Sequence, residues 1–204
     1  MRTDIVVEAT VPEVFSELIH RAVQIAAKAH RHQIRKGSGD IPYISHPTMV
    51  ALLLQRAGID DETTLAAAIL HDVVEDTEMP LTEIAQLFGE EVAALVDCVT
   101  ETKKDAQGQE LPWAVRKDEK YRKLLSAPPQ AKAIALADKL HNLHSTLLDL
   151  QADRDVWSRF KAPKDAWLAN VERDIEACTG ETPGLQSLAS ACRQALADIR
   201  NHRS

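Results

Sequence analysis

Apolar positions recur along most of the chain at the three-to-four-residue spacing of amphipathic helices, and no segment alternates apolar and polar residues as a half-buried strand would. Over residues 12–33, Val14, Leu18, Val23, Ala26 and Ala27 share one side, and Pro12 suits a first-turn position, where its missing N–H is not needed. Gly37, Gly39 and Pro42 mark a loop. A second helix is predicted from near Pro47 to about Gly58. A third runs from about Asp61 through LAAAILHDVV and ends near Thr77, before Pro80. Shorter helices fit residues 81–88, closed by Gly89, and 90–100, followed by a polar loop over 101–112. Residues 113–126, 130–150, 164–178 and 184–201 read as helices, with Pro128 and Pro129 as a break. The expected fold is all-α: one globular array of about eight to ten helices over residues 1–204. Its core is expected over about 12–150, with a C-terminal helical extension over about 151–204.

Composition narrows the classes. A chain of 204 residues fits one domain, and 45% hydrophobic with 27% charged residues is an ordinary globular balance, which excludes disordered and fibrous classes. No run approaches the roughly 18 apolar residues of a membrane span, and MRTDIVVEAT lacks a signal-peptide pattern. Cys98, Cys178 and Cys192 have no metal-ligand spacing and read as free thiols in a reducing compartment, so a cytoplasmic protein is expected. The net charge of −7 argues against a nucleic-acid partner. Charge is nevertheless segregated. Residues 60–91 hold ten acids and no Lys or Arg, whereas residues 20–36 hold five Lys or Arg, three His and no acid.

The acidic block contains HDVVEDT, residues 71–77. On one continuous helix His71 and Glu75 share a face, and Asp72 and Asp76 repeat the pattern one position on. Acids near a helix C-terminus meet the negative end of the macrodipole, and like charges four apart repel. A bound cation would relieve both, and mixed imidazole and carboxylate ligands suit a first-row divalent metal; a solvated acidic turn is the plain alternative. His46 precedes Pro47 at a helix start. Asp138 interrupts the apolar run AIALADKL, where a buried carboxylate needs a partner or a metal; Asn142 and Ser145 lie four and seven residues on. His46, His71, Asp72 and Asp138 would together make a site of two His and two Asp. His20, His30, His32 and His202 read as surface or packing residues, and His141 as a packing residue facing away from Asp138. Trp157 and Trp167 read as core anchors. Lys103, Lys104, Arg116, Lys117, Lys161 and Lys164 read as solvated charges rather than phosphate contacts.

The segments AHRHQIRKG (29–37), IPYISHP (41–47), TLAAAILHDVVEDT (64–77), IAQLFGEEVAALVDCVT (84–100) and ALADKLHNLHST (135–146) follow one another over about 120 residues. In this order they resemble the HD superfamily of metal-dependent phosphohydrolases. More narrowly, they are similar to the alarmone (ppGpp) hydrolase branch of the RelA/SpoT type in its small, stand-alone form, since the chain has no room for a synthetase domain. The resemblance implies a single HD-type domain that hydrolyses the 3′-pyrophosphate of (p)ppGpp. It implies His46, His71, Asp72 and Asp138 as ligands of one Mn2+, Glu75 and Asp76 as the catalytic acidic pair, and Arg35, Lys36, Asn142 and Ser145 as substrate contacts. Two departures stand out. His144 occupies a position where Arg is common, and the RKGSGDIP loop is longer than in the large bifunctional enzymes. The alternatives are an HD phosphohydrolase acting on another nucleotide, such as the 2′-phosphate of NADPH, and a non-catalytic nucleotide-sensing helical domain.

Overall fold

The computed structural model describes residues 14–37 and 39–202. Among them are nine helices of eight residues or more and one four-residue turn of helix. They are α1 (Glu17–Ala29), α2 (Ser45–Arg56), α3 (Glu62–Leu70), α4 (Val73–Asp76), α5 (Leu81–Phe88), α6 (Glu90–Val99), α7 (Trp113–Ser126), α8 (Pro129–Gln151), α9 (Lys164–Ala177) and α10 (Pro183–Asn201). A 3₁₀ turn, Trp157–Arg159, joins α8 to α9. The expected all-α class holds. The described residues contain no sheet, only two isolated antiparallel bridges, Ile34 with Pro42 and Lys104 with Glu110.

The centre of the fold is α3. From Thr64 to Leu70 every residue is buried, the mark of a helix enclosed on all sides. It packs against α1, α2, α6 and α8. Asp61 caps it, accepting from the Thr64 N–H at 2.9 Å. The long α8 starts with Pro129 in its first turn, where proline costs no backbone bond. α10 lies along α8, and Cys192 Sγ donates to the Leu136 carbonyl at 3.3 Å.

Two boundaries differ from expectation. The first helix begins at Glu17, because Ser16 caps it by accepting from the Ile19 N–H at 3.1 Å; Pro12 lies outside the described residues. The stretch from Asp61 to Thr77 is not one helix. A continuing helix would bond the Ala68 carbonyl to the Asp72 N–H; here it accepts from His71 Nδ1 at 2.7 Å, α3 stops at Leu70, and α4 restarts at Val73.

Candidate active site

His46 is carried by the first turn of α2, His71 and Asp72 by the break between α3 and α4, and Asp138 by the middle of α8. Three places in the fold thus deliver four side chains to one point. His46 Nε2 lies 3.1 Å from Asp138 Oδ1 and 3.4 Å from Asp72 Oδ2; His71 Nε2 lies 3.2 Å from Asp72 Oδ2 and 3.8 Å from Asp138 Oδ1. Ligand atoms of His46, His71 and Asp138 all fall within 4.8 Å of one another. Both histidines are buried.

The donor set fits a cation. The His71 Nδ1–H is committed to the Ala68 carbonyl, which turns the Nε2 lone pair toward the carboxylates. That Nε2 is buried and has no hydrogen-bond partner, even with two carboxylates nearby. The four side chains converge on a common point. Burial works against charge on all three groups. Mutual attraction outweighs it, holding Asp72 and Asp138 well below the usual carboxylate range and His71 well above the usual imidazole range. The cluster therefore calls for positive charge between its carboxylates, which a divalent ion with mixed N/O ligands supplies.

A second layer holds these groups. Tyr43 Oη donates to Asp72 Oδ2 at 2.7 Å and lies 3.4 Å from Asp76 Oδ2. Burial first, then the Asp72 and Asp76 carboxylates, push its phenol far up, so it stays a donor. His141 does not face away from the centre. Its ring stacks on His46 at 4.9 Å, with the two Nδ1 atoms 2.6 Å apart. Burial first, with the Arg35 charge adding to it, pushes His141 down to about 4, so at neutral pH its imidazole is neutral. The neutral ring can accept from His46 Nδ1–H and leave His46 Nε2 free for a ligand. Its signal was its place three residues after Asp138, on the same helix face.

Glu75 and Asp76, on α4, border the centre. Glu75 Oε2 accepts from the Glu101 N–H at 3.0 Å. Lys103 sits 3.4 Å from Glu75 Oε1 and bonds Asp76 Oδ1, so it offsets the acidic pair rather than standing as a solvated charge. Arg35 Nη2 donates to Asn142 Oδ1 at 2.9 Å, and Asn142 Nδ2 donates to Asp138 Oδ1 at 2.6 Å, a chain from the basic loop to the centre. Arg35 is set by its backbone: its N–H bonds the Ile41 carbonyl at 2.9 Å, and its guanidinium lies 5.6 Å over the Tyr43 ring. Lys36 and Ser145 line the same cleft, with Ser145 Oγ bonded to the His141 carbonyl at 2.8 Å. His144 is exposed and does not line it.

The cleft holds about 580 Å³. Its far end is built from residues that periodicity alone does not mark: Val156, Arg159, Phe160 and Trp167. Trp157, Phe160 and Trp167 form a cluster with ring centroids 4.9 to 6.0 Å apart, so the tryptophans do anchor the C-terminal helices, yet Trp167 also faces the cleft. Arg159 reaches back to Asp149, which also takes Arg154 at 2.6 Å.

A helical array with a His and Asp centre between its second, third and eighth helices defines a class, and the comparison agrees. Residues 22–162 match the family model described as HD domain, and the chain belongs to that family. It is similar to the human guanosine-3′,5′-bis(diphosphate) 3′-pyrophosphohydrolase MESH1, with 39% identity over 158 residues, covering 76% of this chain and 83% of that protein. It is 43% identical to a Streptomyces coelicolor GTP pyrophosphokinase over 130 residues, 62% of this chain but only 14% of that much longer protein. Among solved structures, a metazoan orthologue of SpoT described as hydrolysing ppGpp superposes with a TM-score of 0.71 at 33% identity, covering 91% of this chain and 98% of that one.

Proposed function

We propose that the protein is a metal-dependent hydrolase of (p)ppGpp, releasing the 3′-diphosphate as pyrophosphate and leaving GDP or GTP. The observation that carries this is the convergence of His46, His71, Asp72 and Asp138 beside Glu75 and Asp76, in a cleft that also presents Arg35. The 3′-pyrophosphohydrolase activity named for the MESH1 relatives supports it. The HD domain implies a divalent metal, and we assign Mn2+, one per chain, to the four ligands. When bound, such an ion lowers the pKa of water and offsets charge on phosphoryl oxygens.

The chain's own residues do the rest. Glu75 or Asp76 takes the proton of the attacking water, within reach of a phosphorus at the centre. The new O–P bond forms at the proximal phosphorus of the 3′-diphosphate. The P–O3′ bond breaks, its electron pair stays on O3′, and that oxygen is then protonated. Arg35 spends one donor on Asn142 and keeps the rest of its fork for phosphate, with Lys36 beside it. Asn142 ties Asp138 to that arginine, so ligand and substrate clamp stay in register. The aromatic end suits the base and ribose. No helix of the described residues is long and apolar enough to cross a membrane. Its three free thiols suit the cytoplasm, where we place it.

A panel assay with Mn2+ tests this, comparing ppGpp, pppGpp, NADPH and simple nucleotides. Pyrophosphate release from ppGpp is expected. Orthophosphate release from NADPH with no turnover of ppGpp would replace the substrate, and no turnover of any of them would leave a binding domain. Glu75→Gln should keep metal while kcat falls about 10²–10⁴-fold; unchanged kcat would remove Glu75 from proton transfer.

A further inference from the structure

One wall of the cleft, made by α7 and α8, presents Lys117, Lys120 and Lys139, and Arg116, next to Lys117 in α7, brings the local cations to four. Two buried carboxylates answer three of them. Glu101, 3% exposed in its side chain, takes Arg116 Nη1 at 3.0 Å and also Lys117. Asp174, likewise 3% exposed, takes Lys139 Nζ at 2.8 Å. Lys120 sits one turn beyond Lys117 on α7, lines the cleft, and makes no hydrogen bond or ion pair with any described residue. The carboxylates that act on it from a distance are Glu75 and Asp138, at the centre itself, together with Glu101. They hold its ammonium charged against burial and against the repulsion of Lys139. A half-buried ammonium with no partner is costly unless an anion arrives to meet it.

We infer that Lys120 seats the distal phosphate of the substrate's 3′-diphosphate, and then the departing pyrophosphate. This rests on the reaction proposed above. With the proximal phosphorus at the His and Asp centre, the distal phosphate lies one bridging oxygen further on. The α7 wall bordering Glu75 and Asp138 offers it the one uncommitted ammonium there. Lys117 and Lys139, already neutralised, flank the seat. A single phosphate at the centre has nothing to extend toward Lys120, so the residue favours diphosphates over monophosphates.

Calorimetric titration of the Mn2+-loaded protein with inorganic pyrophosphate and with orthophosphate tests this on wild type, Lys120→Met and Lys120→Arg. Lys120→Met should weaken pyrophosphate binding about tenfold or more. Orthophosphate binding should stay within about twofold, and Lys120→Arg should retain most of the pyrophosphate affinity. Equal losses for both ligands, or no loss for pyrophosphate, would overturn the assignment. A Lys120→Met protein with a lowered melting temperature is replaced by Lys120→Gln, read by the same pyrophosphate-to-orthophosphate ratio. Failure of the reaction itself shows separately, as wild-type protein that binds pyrophosphate through Lys120 yet releases none from ppGpp.

Discussion

The two ends of the cleft are built by opposite means. At the catalytic end, helices α2, α3 and α8 fix His46, His71 and Asp138, with the side chains buried or nearly so and each imidazole oriented through its second nitrogen. At the far end the lining comes from a 3₁₀ turn, the segment after it and the start of α9, held by ring contacts and the Asp149 ion pairs. Rigid helices place the atoms where a small displacement would matter most. Connecting segments shape the part of the cleft that reads the rest of the ligand, and such segments tolerate change.

Breaking the rigid end should have the largest effect. Asp72→Ala or His71→Ala should abolish metal uptake and activity together, measured by metal analysis of purified protein; retained metal in both would show the ligand set to be wrong. His141→Ala comes next. Loss of the group behind His46 should cost about 10–100-fold in metal affinity with the fold intact, and an unchanged affinity would reduce the ring stack to packing.

At the far end the effects should be smaller and of another kind. Trp167→Ala should raise KM for the nucleotide about tenfold and change kcat little; a kcat loss as large as that of Glu75→Gln would erase the contrast between the ends. The smallest effect concerns stability. Burial works to raise Asp149, but Arg159 and Arg154 hold it below its usual value. Its folded pKa is thus lower than its unfolded one, near 4. The stabilisation is full above that unfolded value and is lost as pH falls through the lowered one. Asp149→Asn should cost about 1–2 kcal/mol at neutral pH and flatten the acid limb of a melting-temperature profile. A parallel downward shift at every pH would contradict the ion-pair account.

The same contrast explains what could be read from the residues alone. Helix class followed from periodicity, and His46, His71, Asp72 and Asp138 stood out because polar, ligand-type side chains interrupt apolar runs or crowd one turn. The break at His71–Asp72 did not, because a side-chain bond to the Ala68 carbonyl leaves no periodic trace. Tyr43 and His141 lie three residues from Asp138 or His46 in the chain, yet their roles depend on two helices meeting. Lys120 looks like any lysine on a charged helix until α8 and Glu101 are packed beside it. Trp167, Phe160 and Arg159 reach the cleft only through the path of the chain after α8.

Gly37 carries a consequence for how this architecture can vary. Its φ of +128° and the position of Asp149 leave no space for a side chain, since an added Cβ would stand 2.6 Å from Asp149 Oδ2. The loop closed by the Ile34–Pro42 bridge thus lands on the end of α8 at Gly37, while its feet are tied by Arg35 N–H to the Ile41 carbonyl and by Tyr43 N–H to the Gln33 carbonyl. Beyond that landing point Gly39 faces open space. Extra residues inserted there would balloon outward like slack rope past a cleat, leaving Arg35 where it is. The loop can therefore serve as a graft point for tags or altered specificity segments without retuning the reaction centre.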